Sequence, residues 1–215
     1  MKSDYPVALK HLQQCLAIAH ELGDLKREAN AYSNLSNVYR NLGDLPKALT
    51  QLQKSLSIDT QLGNDEGLAG TYNNIGNVHT ELHDLDEALE NYERSAALYA
   101  KENNAKGRAQ ALMNLGATHL DRGDRTLALE EFSQSLALYR GMGRTLETGM
   151  AFNNMGRAYG ELGRAPEAYA ALDSAFTLFT DINSSRQLAR NLYYRGTSLL
   201  RQINTKASRI ACDQG

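Results

Sequence analysis

Apolar positions along the chain recur in steps of three and four. Tyr32, Leu35, Val38, Tyr39 and Leu42 form one such stripe, and after a break at Gly43-Asp44 a second follows at Ala48, Leu49, Leu52, Leu56 and Ile58, ending near Leu62-Gly63. This spacing keeps the apolar side chains on one face of an α-helix. The segment therefore predicts two helices, A then B, joined by a short turn. No stretch alternates β-branched or aromatic residues with polar ones, as a half-buried strand requires, so the expected fold class is all-α.

The pattern then repeats with a fixed period of 40. Asn34-Leu35-Ser36 superposes without a gap on Asn74-Ile75-Gly76, Asn114-Leu115-Gly116 and Asn154-Met155-Gly156. An alanine recurs at 8, 48, 88, 128 and 168, each followed four residues later by Leu12, Leu52, Tyr92, Phe132 or Leu172. A repeat of this length, kept over most of the chain, predicts a solenoid whose units bury their apolar faces only against their neighbours. The punctuation agrees. Gly23, Gly63 and Gly143 suit the left-handed conformation that closes a helix, and Asp4, Asp44, Asp84 and Asp124 are placed to cap the next one, with Glu87 completing a capping box on Asp84. Pro6, Pro46 and Pro166 fall in the first turn of a B helix, where a missing amide proton breaks no helical bond. Full repeats are expected at 28–63, 68–103, 108–143 and 148–183, flanked by a lone B helix over 5–22 and a lone A helix over 188–203. Residues 1–203 would form one solenoid domain. The stretch 204–215 matches helix B poorly, since Ser208 and Arg209 stand where alanine and leucine are expected, and predicts a frayed tail.

The alternation of small, bulky and aromatic residues resembles the tetratricopeptide repeat (TPR). Tyr72, Ile75, Gly76 and His79 fall on that family's helix A signature, and Ala88, Tyr92 and Ser95 on its helix B signature. His79 and His119 stand where the family has tyrosine, and Arg195 occupies an apolar signature position. The 40-residue unit is similar to repeats of spindle-orientation scaffolds, kinesin light chains and sensory modules of bacterial regulators. The resemblance implies a right-handed superhelical solenoid of antiparallel helix pairs, with A helices lining a concave wall that holds a peptide or protein segment.

Beside the core stripe of each A helix, asparagine dominates the face left open. It carries Asn34 and Asn37 in the first unit, Asn73, Asn74 and Asn77 in the second, Met113, Asn114 and Leu120 in the third, and Met150, Asn153, Asn154 and Arg157 in the fourth. A carboxamide offers both donor and acceptor, so it can pair with one extended peptide unit whatever the ligand's side chains are. With A helices packed roughly 8 to 10 Å apart and an extended strand rising about 3.3 Å per residue, one asparagine per repeat would meet every second or third ligand residue. The expectation is a backbone ladder of Asn34, Asn74, Asn114 and Asn154, with Asn37, Asn73, Asn77 and Asn153 assisting. Met113, Ala117, Leu120 and Met150 would take an anchoring side chain. The competing reading is that each asparagine bonds to a neighbouring repeat and fixes the geometry between repeats. No lysine lies on this face, which disfavours a clamp for acidic C-terminal tails. Arg40 and Arg157 are opposed by Glu81, Asp121 and Glu161, so the face has mixed charge.

Composition narrows the partners. The 215 residues are 42% hydrophobic, with 23 basic and 25 acidic side chains and a net charge of −2. That supports a folded core and supplies no field to attract nucleic acid or anionic lipid. The basic residues after 185 (Arg186, Arg190, Arg195, Arg201, Lys206, Arg209) could contact nucleic acid or an acidic partner domain, but read more simply as an ordinary basic helix end. No run approaches the ~20 apolar residues of a membrane span. Cys15 and Cys212 give no disulfide framework, so a reducing cytoplasm is the expected compartment; Cys15 falls at a small core position. His79 and His83 have helical ligand spacing, but two ligands do not make a metal site and His79 reads as core. No phosphate loop, nucleophile elbow or dinucleotide fingerprint occurs. The expectation is a non-enzymatic, cofactor-free scaffold of cytoplasmic signalling, the repeat domain of a larger bacterial-type protein, binding a protein or peptide and neither nucleic acid nor membrane. Its rivals are a self-associating module, pairing as a homodimer through exposed terminal half-repeats, and a regulatory input domain whose groove is filled by its own effector domain.

Overall fold

The computed structural model describes residues 4–213. Ten helices follow one another among them: α1 (Tyr5–Glu21), α2 (Leu25–Asn41), α3 (Leu45–Leu62), α4 (Asp65–Leu82), α5 (Leu85–Lys101), α6 (Ala105–Arg122), α7 (Arg125–Gly141), α8 (Thr145–Glu161), α9 (Ala165–Asp181) and α10 (Ser185–Asp213). No strand occurs among the described residues. The chain is an all-α repeat solenoid. In the notation of the sequence, α1, α3, α5, α7 and α9 are B helices and the even-numbered helices are A helices.

The backbone has half the period of the sequence. Residues 23, 43, 63, 83, 103, 123, 143, 163 and 183 all take positive φ, between 52° and 99°. In every one of these turns the next N–H donates to the carbonyl five residues earlier, from Asp24 to Ala19 through Ser184 to Phe179, at 2.8–3.0 Å. This closure satisfies carbonyls that the end of a helix would otherwise leave orphaned. Glycine serves at six of the nine positions, and His83, Asn103 and Asn183 at the rest. Position 203 continues the series, but Ile203 is β-branched and cannot readily enter the left-handed region. No turn forms there. α10 runs past the end expected near 203 to Asp213. Residues 214–215 of the expected tail lie outside the described residues, as do the side chains of 208–213, Cys212 and Arg209 included.

Capping is more selective than the spacing suggested. Asp44 Oδ1 accepts from the Lys47 N–H at 3.2 Å, and Asp24 does the same for Arg27 at 3.0 Å. Asp4, Asp84 and Asp124 stand at N-cap positions without a side-chain cap bond, so the box expected from Asp84 and Glu87 is not closed. The carboxylates of Asp84 and Asp124 turn instead toward His79 Nδ1 at 3.5 Å and His119 Nδ1 at 3.8 Å. His83 lies beyond the end of α4 in the left-handed turn, not on a helical face with His79. Pro6, Pro46 and Pro166 all sit in first turns.

Packing divides the chain into two units, Met1–Ala111 and Leu112–Gly215. In the first, α1 to α5 pack in succession and α2 also meets α4; Ala48, Leu52 and Val78 form a buried cluster with Tyr39, Leu45, Leu49 and Ile75 around it. In the second, α7 to α10 pack in succession and α8 also meets α10. The small signature residue works by close approach. A Cβ on Gly76 would lie 2.6 Å from the Tyr92 ring, one on Gly116 2.8 Å from Phe132, and one on Gly156 2.5 Å from Leu172. Leu52, Phe132 and Leu172 are completely buried, each a gain of about 1.5–3 kcal/mol relative to exposure.

Cys15 is exposed, against the expectation of a core position. Its counterpart Ser55 is buried between two A helices, its hydroxyl donating to the Ala29 carbonyl at 3.0 Å and paired with Thr71 Oγ1 at 3.1 Å. α1, by contrast, packs on α2, and of its described residues only Ala19 is buried.

Candidate functional site

Within the first unit, α2 and α4 present the expected asparagines side by side. Asn34 is exposed, and Asn37, Asn73, Asn74 and Asn77 are half-buried. Asn74 and Asn77 are engaged within the fold. Asn74 Nδ2 donates to Ser33 Oγ on α2 at 3.1 Å. Asn77 Oδ1 accepts from the Tyr92 hydroxyl of α5 at 2.9 Å, and that hydroxyl also meets Thr80 Oγ1 at 3.1 Å. Burial pushes the Tyr92 phenol up to about 12, so it stays protonated and able to donate at neutral pH. Arg40 of α2 pairs with Glu81 of α4 at 2.9 Å, which cancels both charges on this face.

In the second unit the face is more closed than the sequence suggested. Asn153 is only 2% exposed, and its Oδ1 accepts from Asn191 Nδ2 of α10 at 3.0 Å. It is a core amide that ties α8 to α10, not a groove residue. Met113 and Leu120 are 6% and 3% exposed, so half of the apolar patch expected to anchor a ligand is packed, while Ala117 and Met150 are half-buried. Asn114, Met150, Asn154 and Arg157 are half-buried. Asn154 Nδ2 points at Met113 Sδ, 3.3 Å away. It reaches back 41 residues, as Asn74 does to Ser33, so the same inter-helix reach recurs in both units. Arg157 bridges Asp121 at 2.9 Å and Glu161 at 3.1 Å. It lines a cavity of about 370 Å³ between α8 and α10 together with Tyr193 and Tyr194, two aromatics that sequence reasoning passed over because α10 lay outside the four full repeats.

Two of the arginines of α10 have partners within the chain. Arg190 lies over the Tyr194 ring at 5.5 Å and bonds its hydroxyl, while Arg195 pairs with Asp173 and lies over Phe176. No helix among the described residues is long and apolar enough to cross a membrane.

Stacked antiparallel helix pairs, closed by a small residue against a bulky one and bonded to one another through amides on successive A helices, define an α-helical repeat protein. Models of the tetratricopeptide repeat match residues 1–61, 67–141 and 150–174. The chain belongs to the tetratricopeptide repeat family. No curated protein matches it. Among solved structures it is similar to BtubC (BKLC) from P. vanneervenii, at 22% identity and TM-score 0.77 over 85% of this chain and 76% of that one. It is also similar to aspartyl phosphate phosphatase F from Bacillus subtilis, at 12% identity and TM-score 0.82 over 94% of this chain and 53% of that one. A third similar structure is the Signal Transduction ATPase with Numerous Domains protein with a tetratricopeptide repeat sensor from Pyrococcus horikoshii, at 18% identity and TM-score 0.82. The chain spans all of its own length in that comparison but 34% of the archaeal protein. At these identities the likeness is one of fold.

Proposed function

We propose that the chain is a non-catalytic protein-interaction module that holds an extended segment of a protein partner along the A-helix face of α2 and α4. The observation that carries this reading is the set of carboxamides at 34, 37, 73, 74 and 77, exposed or half-buried on neighbouring helices with their flanking charges paired off. With Nδ2 committed to Ser33, Asn74 has its carbonyl oxygen to offer a ligand N–H, and Asn34 offers both groups of its amide. A face neutralised in this way selects backbone geometry over ligand charge. The two roles of the asparagines coexist, since a carboxamide that braces one repeat against the next is also held rigid for binding. The test is to select peptides from a random library on the purified chain and measure their affinity for the Asn34→Ala/Asn74→Ala variant. A loss of about tenfold or more is expected for two removed hydrogen bonds; unchanged affinity in a variant of native stability would overturn the reading.

A second reading is favoured by α10. Gly196 occupies the signature position of Gly76, Gly116 and Gly156, yet no atom lies within 4 Å of its would-be Cβ. Around it Leu192, Leu199 and Leu200 are 54%, 49% and 61% exposed. This is the face that α5, α7 and α9 cover in the other pairs, and a second copy of the chain would bury it. Sedimentation over a hundredfold concentration range decides: a constant monomer mass removes this reading.

A further inference from the structure

One departure from the fixed period lies at Asp59, the one charged residue in a column that begins with Ala19. The same repeat position holds Tyr99, Tyr139 and Phe179 in the later B helices. Tyr99 lies beneath the next A helix, α6, where a Cβ on Gly107 would be 2.5 Å from the ring, and Phe179 packs against the preceding A helix, α8, where a Cβ on Gly149 would be 2.6 Å away. Gly67 is the counterpart of Gly107 one repeat earlier, but the side chain beneath it is the Asp59 carboxylate, joined by the Asn64 amide. A short carboxylate replaces a ring, and the volume left over appears as an open cavity of about 250 Å³. It is bordered by Asn30 and Ser33 of α2, Ser55 and Asp59 of α3, and Gly70 and Thr71 of α4. It opens on the A-helix face that carries the asparagines.

The floor of this notch is electrically unusual. Asp59 is 3% exposed. Its Oδ1 accepts from Asn64 Nδ2 at 2.7 Å, and its Oδ2 lies 3.5 Å from the Ser55 hydroxyl, a long contact. That hydroxyl already serves the Ala29 carbonyl at 3.0 Å. Burial pushes the carboxyl above its ordinary value, against hydrogen bonds from Asn64, Ser55 and Thr71 and the charge of Lys26, which hold it down. Lys26 and Glu66 are the other charged groups at the cavity; both are exposed, and Glu66 accepts from Asn104 at 3.2 Å. A carboxylate so desolvated gains most from a cation that enters the notch and is itself desolvated there.

We propose that the notch over Asp59 is a binding site for a cationic side chain of the bound segment, with the guanidinium of arginine the best fit. The planar fork reaches a carboxylate oxygen with one edge and turns its remaining donors to hydroxyl and carboxamide oxygens on the walls, and it gives up less hydration than an ammonium does. The site deepens the groove reading and rests on it only for the source of the arginine. It assigns the ligand a basic residue at the place where it crosses from α2 to α4.

The test uses the whole chain and the probe Nα-acetyl-arginine amide, with the lysine and citrulline analogues as further arms, followed by the backbone amide signals of Gly67 and Gly70 in ¹H–¹⁵N spectra. Saturable shifts are expected with arginine, weaker ones with lysine and none with citrulline, which has the same shape without the charge. Asp59→Asn should weaken arginine binding at least tenfold. Asp59→Tyr restores the residue of the later repeats, is expected to fold with the ring against Gly67, and should abolish binding. Equal shifts with citrulline, or binding that survives Asp59→Tyr, would overturn the site. Library-selected peptides separate the two readings: if they tolerate Asp59→Tyr but not Asn34→Ala/Asn74→Ala, the notch falls and the groove stands. If arginine binds while no peptide does, the notch stands without the groove.

Discussion

Gly116 and Gly196 occupy one repeat position and face opposite surroundings. A methyl group on Gly116 would lie 2.8 Å from the Phe132 ring and 3.1 Å from the Ala128 carbonyl, both held in a closed core, whereas one on Gly196 meets nothing within 4 Å. Gly116→Ala should therefore cost about 1–3 kcal/mol through overpacking. Gly196→Ala should leave stability unchanged or raise it by about 0.5–1 kcal/mol, because alanine loses less backbone freedom in a helix interior. Urea denaturation of both variants checks the pair, and equal destabilisation would mean that helix propensity rather than close approach governs the position. The first of these roles was legible in the sequence, as a small residue recurring opposite a bulky one. The second was not, since a pattern cannot show that a face has lost its partner. Asp59 was missed for a related reason: each helix read by itself makes an aspartate near a B-helix end ordinary, and only the apolar and aromatic column of Ala19, Tyr99, Tyr139 and Phe179 makes a charge there an exception.

At the scale of elements, the helices and their breaks followed from apolar spacing and glycine, while the side of a helix on which a polar residue falls did not. Asn153 and Asn154 are neighbours on α8, turned from each other by about 100°. One is sealed against α10 and the other is half-buried on the outer face. The boundary between those faces is drawn by how closely α10 approaches, which no single-helix pattern records. Asn191 makes the α8–α10 contact specific. It is completely buried, donating to Asn153 Oδ1 at 3.0 Å and to the Leu172 carbonyl at 2.8 Å, so it joins α10 to α8 and α9 at once. Asn191→Ala is expected to destabilise the chain by about 1–3 kcal/mol, since it also strands the acceptors it leaves behind. Combined with Asn153→Ala in a double-mutant cycle, the coupling should be about 1 kcal/mol. Strict additivity would show that the amide pair contributes nothing as a pair.

A solenoid distributes stability along its length, because each helix is held only by its neighbours. α1 packs on α2, and of its described residues only Ala19 is buried. Its apolar side chains Val7 and Ile18 remain 45% and 56% exposed. α10 is held by α8 and α9 as far as Ser198, after which none of residues 199–207 is buried. α4 and α8, in contrast, each pack against both chain neighbours and one further A helix. Local opening free energies in a fold range from near zero at weakly held segments to the global value in the core. The amides of α1 and of α10 beyond residue 199 should therefore exchange with solvent at least about tenfold faster than those of α4 and α8, a difference of about 1.4 kcal/mol in opening. Hydrogen-exchange mass spectrometry at several protein concentrations measures this directly. Uniform exchange along the chain would contradict nearest-neighbour stabilisation. Protection of α10 that rises with concentration would instead identify a second copy seated over Gly196, and protection confined to α2, α4 and their ligand-facing amides on adding a selected peptide would locate the bound segment on the carboxamide face.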